Sequence, residues 1–556
     1  MEGSKVKARN MEIKRDASLD DNLVCGWYAY VQRHRWQTRF FLVLALFVYG
    51  VMLFQGNIGV DTEEYMAVQR FINWKRIGRF GLVFLQKIFW IDQFNPYASY
   101  FVGLLFLWLS ATIWCYFLEV VAGKPLPEYA SWLFGSFYLA NAAFVDQMYY
   151  SVQCAETSFI LCLSPFAVLW FCRSLLGRRW NWFLLSCLLF VFLISVYQGI
   201  VMMLVGGILV FFLFIREWKP MDARQEWSFA ILAMLGLGAS LLCYSILNML
   251  IQKWVFQIPS TDFLFNRVER AVENPLKGIV RYAYMLEFGS SKLASLLFDP
   301  YIAAHSSTGW GSVATIHRDL YGMANWMYAP MVLLFWVLAF QKQNRKSVVW
   351  VLAVICLPLT VLIFPFVARE AVRNRVQSVV PLVMGAIAIW LLVHTSRRWS
   401  ILLAVIGFAD TWVMAQQNAV LLYSNQRQYQ AEVAFIRELD ADIKNTVKDD
   451  VHAKPLLIAG KKEYEFDQNF IRLRSSIFRS QNPYETSSRG TAFMRVHGLS
   501  YQGIDVQFIP PADMDEFISI FESMPAYPNK GYIKELPDCI LVKLKDGPYL
   551  LDPIFL

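Results

Sequence analysis

Apolar positions along this chain fall in blocks, with charge confined to the breaks between them; FFLVLALFVYGVMLF (40–54) is the first. A helix needs roughly 20 apolar residues to cross a bilayer core of about 30 Å. On that measure the blocks predict spans over 39–56, 98–121, 129–146, 157–172, 183–197, 200–215, 228–252, 326–341, 347–365, 378–393 and 400–416. Four short connections are basic: RSLLGRRWNW (173–182), REWKPMDARQEW (216–227), QKQNRK (341–346) and HTSRRW (394–399). Lys and Arg accumulate on the cytoplasmic side of a membrane protein, so all four are expected there.

The run 183–215 tests this orientation. As one helix it would reach about 50 Å at 1.5 Å per residue, too long for one span and short for two. A single span would place the basic connections flanking it on opposite sides. A hairpin turning at Tyr197, Gln198 and Gly199 keeps them together, so two short spans are predicted. The expected fold class is a polytopic α-helical membrane protein of about eleven spans with a small α/β domain at its C-terminal end. Its parts are a cytoplasmic segment (1–38), a membrane domain (39–416) and an outer domain (417–556).

The outer side then carries loops 57–97, 147–156, 253–325 and 366–377, besides the hairpin tip. EYMAVQRFINWKRIGRF and FGLVFLQKIFW, in the first loop, mix apolar and basic residues or are too short to span, and both read as helices lying in the interface. RVERAVENPLKGIVRYAYMLEF in the large loop is similar, broken by Pro275. In the tail, AEVAFIRELDADIKNTV predicts an amphipathic helix, PLLIAG and DCILVKL predict strands, and SSRGTAFMRVHGLSYQG and PPADMDEF are expected as loops.

Composition agrees: 57% of residues are hydrophobic and 17% charged, against about 25% charged in soluble domains. The net charge of +8 comes without a soluble Lys/Arg block, which points to membrane-side loops and away from nucleic acid. The polar, charged start MEGSKVKARNMEIKRDASLDD does not read as a cleavable signal peptide. Most of the nine cysteines lie in apolar runs, with no metal-binding or disulfide spacing.

Candidate chemistry sits at the outer boundary. Directly after the first apolar block comes NIGVDTEEY (57–65), with Asp61, Glu63 and Glu64. A carboxylate there could act as general base toward a hydroxyl attacking a lipid-borne substrate. The competing reading is a helix cap plus solvated acids. The short loop VAREAVRNRVQ (367–377) carries Arg369, Arg373 and Arg375 where positive charge should be sparse. Guanidinium forks suit phosphate, though headgroup contacts or internal ion pairs would also use them. Arg79 joins this set as outer-face positive charge, and so do Arg267, Arg270, Lys277 and Arg281, most of them suited to anchoring interface helices. Tyr197 and Gln198 at the hairpin tip, and Asp146 and Gln147 at a span end, could hold a sugar or acceptor, or serve only the turns they sit in. His305 and His317 lack metal spacing, so no metal site is assigned, and no nucleotide-binding loop is present.

VDTEEY, RIGRFG, the YQG turn, the REAVRNR loop and LLYSNQRQYQAEVAFIREL together resemble membrane glycosyltransferases of the GT-C class, more narrowly the Gtr-type glucosyltransferases that modify bacterial O-antigen. The resemblance implies a polyprenyl-phosphate-linked donor such as undecaprenyl phosphate glucose, a lipid-linked glycan acceptor, and inverting displacement on the periplasmic face of the inner membrane. By match to the acidic first-loop motif it makes Asp61 the candidate base, with Glu63 or Glu64 as alternatives because DTEE stands where a DxD-like arrangement is common. A divalent cation (Mg or Mn) is left open, and a companion flippase and polyprenyl-phosphate glucosyl synthase are implied as partners. Two other functions fit the same layout, a transporter or flippase of lipid-linked oligosaccharide and an O-antigen polymerase or ligase. The first should show related halves and mid-span charge, which this sequence lacks.

Overall fold

The structure, a computed structural model, describes residues 23–55, 58, 62–68, 72–90, 94–219, 221–258, 276, 279, 327–342, 347–368, 376–448, 450–462, 464, 477–478, 483–502 and 511–547. Apolar blocks become helices because backbone beside lipid has to satisfy its own N–H and C=O groups. Helices α1 (Leu23–Arg33), α2 (Arg35–Tyr49) and α3 (Val51–Gln55) lead in. The first connection carries α4 (Thr62–Val68), α5 (Ile72–Arg76) and α6 (Phe80–Trp90). Then follow α7 (Pro96–Ala122), α8 (Glu128–Leu139), α9 (Ala142–Tyr149), α10 (Ser151–Gly177), α11 (Trp180–Val196), α12 (Ile200–Trp218) and α13 (Ala223–Ile251). A π-helical turn, Gln252–Phe256, extends α13. The helical body ends with α14 (Tyr328–Lys342), α15 (Val348–Ala368), α16 (Val379–His394) and α17 (Arg397–Thr446).

Among the described residues, five helices are long and apolar enough to cross a membrane: α7, α10, α12, α13 with its π turn, and α17. Shorter apolar helices fill the other predicted spans from 183 onward. The run 183–215 divides as predicted, with Tyr197, Gln198 and Gly199 between α11 and α12. Contacts tie the ends of three of the four basic connections together at one end of the bundle. Arg216 pairs with Glu226, which also accepts from Ser347, and His394 lies 3.2 Å from Glu217. Helix α10 packs centrally against α7, while α13 leaves Leu235, Leu242 and Met249 exposed, the side suited to lipid.

Several expectations need correction. The predicted span 129–146 is two helices, α8 and α9, because Asn141 interrupts it. Its side chain accepts from the Ala143 N–H at 3.1 Å and so caps α9, while Asn418 of α17 donates to the Ala140 carbonyl left open by the break. The span 39–56 likewise divides at Gly50. The predicted span 400–416 and the separate tail helix are one 50-residue helix, α17, about 75 Å long at the helical rise. The 416–417 boundary falls inside it. SSRGTAFMRV and PPADMDEF, expected as loops, belong to α18 (Pro483–Val496) and α19 (Pro511–Ser523). Each begins on a proline, whose fixed φ and missing N–H suit a first helical turn.

The tail is an α/β unit, as predicted. Strands β1 (Leu456–Ala459), β2 (Ile533–Glu535) and β3 (Ile540–Lys543) form a sheet in the order β1-β3-β2. β1 runs parallel to β3 with Leu456 opposite Ile540, and β2 runs antiparallel to β3. Alternation along β1 sends Leu456 and Ile458 toward Phe435, Ile436 and Leu439 of α17 and Phe493 of α18. Leu457 and Ala459 face Phe521 and Met524, in and just beyond α19. The far half of α17 is thus part of the tail's core.

Replacing Asn418 by Leu leaves the buried Ala140 carbonyl without its donor and should cost about 1–3 kcal/mol. A lowered unfolding midpoint of the detergent-purified protein is the expected result. An unchanged midpoint would mean that the α8–α9 break is held by other contacts.

Candidate active site

Three points along the first connection, Thr62, Arg79 and Trp90, meet on the first two turns of α10. Ser151 at its first position is 3.0 Å, hydroxyl to hydroxyl, from Thr62, the first residue of α4. Gln153 Oε1 accepts from the Arg79 guanidinium at 2.9 Å. Glu156 Oε1 accepts from the Trp90 indole N–H at 2.7 Å. The backbone there is used as well, since Gln86 donates to the Val152 carbonyl and Ser99 to the Ser151 carbonyl. Polar side chains are costly in an apolar helix unless they have partners, and each of these makes at least one hydrogen bond.

Arg79 lies beside the hairpin tip. Its Nε donates to Gln198 Oε1 at 3.2 Å, and its guanidinium stands over the Tyr197 ring, 4.8 Å from the centroid. The amide oxygens and the ring face orient this cation. Gln198 Nε2 donates in turn to the Ile77 carbonyl at 2.8 Å and to Tyr244 at 3.0 Å. Tyr244 donates to the Gly78 carbonyl. Gly78 has φ +80, and a Cβ there would stand 2.7 Å from the Tyr244 hydroxyl, so RIGRFG needs glycine to make this turn.

The predicted residues Arg79, Tyr197 and Gln198 are therefore brought together. Gln147 adjoins them, donating to Thr157, whose hydroxyl bonds the Gln153 carbonyl. Gln147, Thr157, Tyr197 and Ser378 line a small cavity of ≈ 10 Å³, room for about one water. Ser378 and Val376 follow the arginine loop. A Cβ on Gly199 would meet Val376 at 3.2 Å, so the chain leaving that loop presses on the hairpin tip. Arg369, Arg373, Arg375, Asp61, Arg267, Arg270, Lys277, Arg281, His305 and His317 lie outside the described residues. Asp146 lies in α9 and Glu64 in α4, where only the backbone is described.

Glu63 is fully buried and pairs with Arg489 of α18 at 3.3 Å. Arg489 also meets Glu485, one turn earlier, at 3.1 Å. The tail thus closes over the acidic first-loop helix, and Glu63 serves to hold it there. Neighbouring Tyr65 has its phenol pushed up to about 12 by burial and by the charge of Glu156. Among the described residues, no group of three His, Cys, Asp or Glu could hold a metal ion.

Sequence reasoning missed Gln153, Glu156, Tyr244 and Arg489. The first two lay in a segment taken as a loop (147–156), and their three-residue spacing was the available signal. Arg489 had none, because its partner is 426 residues away.

Glu63→Gln and Arg489→Gln each break a buried ion pair, and a cost of about 3–5 kcal/mol is expected at that contact. Faster proteolysis of the tail with the helical body intact is the readout, and the pair exchanged in register (Glu63→Arg with Arg489→Glu) should restore protection at least partly. Wild-type resistance in both single variants would show that the tail docks by other contacts.

A search of curated proteins and of solved structures finds no match to the chain. A family model described as glucosyl transferase GtrII does match, over residues 50–407, well over half of the 556-residue chain and including α4, Arg79, the hairpin tip and α10. The chain belongs to the GtrII glucosyl transferase family.

Proposed function

We propose that the protein transfers a glucosyl group from a polyprenyl-phosphate donor, such as undecaprenyl phosphate glucose, to a hydroxyl of a lipid-linked glycan such as O-antigen. The reaction takes place on the periplasmic face of the inner membrane. The observation that carries the reading is the gathering of α4 and Arg79 on one helix end, through Ser151 and Gln153. A donor already activated by phosphate needs no nucleotide site. It needs a base for the incoming hydroxyl and cations for the departing phosphate.

In this scheme the acceptor oxygen attacks the anomeric carbon from the face opposite the phosphate. The new glycosidic C–O bond forms as the anomeric carbon–phosphate oxygen bond breaks, and configuration inverts. The hydroxyl proton passes to Asp61 or Glu64, since Glu63 is engaged by Arg489. Polyprenyl phosphate leaves with the bonding electrons, its charge met by Arg79 and by Arg369, Arg373 and Arg375. Support for including that trio is the contact of Val376, next to Arg375, with the turn that carries Gln198. Tyr197, Gln198, Asp146 and Gln147 border the sugar and acceptor, and the tail receives the longer glycan. A polyprenyl-phosphate glucosyl synthase and a flippase would supply the donor.

Purified protein incubated with polyprenyl phosphate glucose and a lipid-linked glycan should yield a product heavier by a single hexose. Translocation with no new bond, or a lengthened chain, would replace the proposal by a transporter or a polymerase. Of Asp61→Asn and Glu64→Gln, one should lower transfer by about 10²–10⁴-fold with insertion unchanged. Full activity in both removes the base from this motif. Arg79→Lys keeps the charge but cannot bridge Gln153 and Gln198, and kcat/KM should fall about tenfold or more. Wild-type kinetics in that variant would take Arg79 out of the phosphate site.

A further inference from the structure

One carboxyl group takes no part in the chemistry above. Glu156 is fully buried on the second turn of α10. Its Oε1 accepts from Trp90, while Oε2, also buried, has no hydrogen-bond partner among the described residues. A buried polar atom left unpaired costs about 1–3 kcal/mol, more where charge is involved, and the few that persist in native proteins call for an explanation. A ligand donor arriving at Oε2 would provide one.

The surroundings indicate which kind of ligand. Tyr65 lies 5.5 Å, ring to ring, from both Trp74 and Phe94, and Phe94 meets Trp90 edge-on at 5.7 Å. All four rings are partly exposed, and through Trp90 the cluster reaches the buried acid. Aromatic faces cover the C–H surface of a pyranose, and a carboxyl oxygen takes its hydroxyls; a mostly apolar pocket with one placed polar group is the usual plan of a small-ligand site. Position adds a further constraint. Glu156 is three residues beyond Gln153, which holds Arg79, and side chains so spaced on a helix are about 5–6 Å apart. A phosphate at Arg79 would therefore place a sugar bonded to it within reach of Glu156.

We propose that Glu156, framed by Trp90, Phe94, Tyr65 and Trp74, binds a hydroxyl of the donor's glucosyl ring and thereby selects the sugar-bearing lipid over the bare carrier. This rests on the donor class proposed above, and its test is a binding measurement that needs no turnover. Full-length protein in nanodiscs is titrated with polyprenyl phosphate and with polyprenyl phosphate glucose, using wild type, Glu156→Gln and Glu156→Leu. Wild type should prefer the glucosylated lipid by about tenfold or more, the worth of one hydrogen bond completed to a buried group. In Glu156→Leu the preference should fall to about one while affinity for bare carrier stays the same. Glu156→Gln, nearly isosteric and so the safer variant for folding, should show a reduced preference. A preference surviving intact in either folded variant, or absent from wild type, overturns the proposal. The single-hexose product assay judges the donor reading separately: transfer by wild type with the preference intact in both variants sinks only the role of Glu156, whereas selective binding without transfer sinks only the transferase scheme.

Discussion

The start of α10 is the constraint on which the site depends. Four polar side chains there, Ser151, Gln153, Glu156 and Thr157, each fasten a different element: α4, the RIGRFG turn, the end of α6, and Gln147 of α9. Hydrogen bonds hidden from water meet little competition, so they set positions more firmly than the same bonds on a wet surface. The helix they stand on is packed on nearly every side, which makes it a fixed reference for the loops. Without it, the acidic first-loop helix and Arg79 would share a chain segment but no common geometry.

A second constraint joins the tail to that reference. The Glu63–Arg489 pair carries a desolvation penalty that a hydrophobic contact would avoid, so its value lies in specifying where α18 docks. α17 helps by running unbroken from the bundle into the tail's core, where Phe435, Ile436 and Leu439 meet the sheet. A continuous helix and a directional ion pair together place the tail against the acidic helix. Membership of a glucosyl transferase family gives this arrangement its chemical context.

Dividing labour between carboxylates follows from the same geometry. Glu63 is buried and has a guanidinium, whereas Glu156 has an indole and a buried open oxygen. Two acids close in sequence to the same contacts thus have distinct surroundings, and distinct surroundings are what allow one fold to use similar groups in different ways.

Hydrophobic periodicity by itself determined the helical membrane class and the two strands Leu456–Ala459 and Ile540–Lys543, each a local consequence of apolar run length or alternation. The hairpin at Tyr197 to Gly199 needed the basic connections as well, because run length alone left 183–215 between one span and two. Position at the outer boundary put Arg79 and Gln198 among a larger set of candidates, without saying which of them meet. What only the tertiary structure decided was partnership: that Gln153 receives Arg79, that Asn141 and Asn418 break one apolar run into α8 and α9, and that Arg489 takes Glu63. α18 and α19 were also illegible, since their mixed, loop-like composition becomes helical through contacts with the sheet and α17. Partners separated by tens to hundreds of residues leave no periodic trace in one sequence, because what selects them is shape and desolvation in three dimensions.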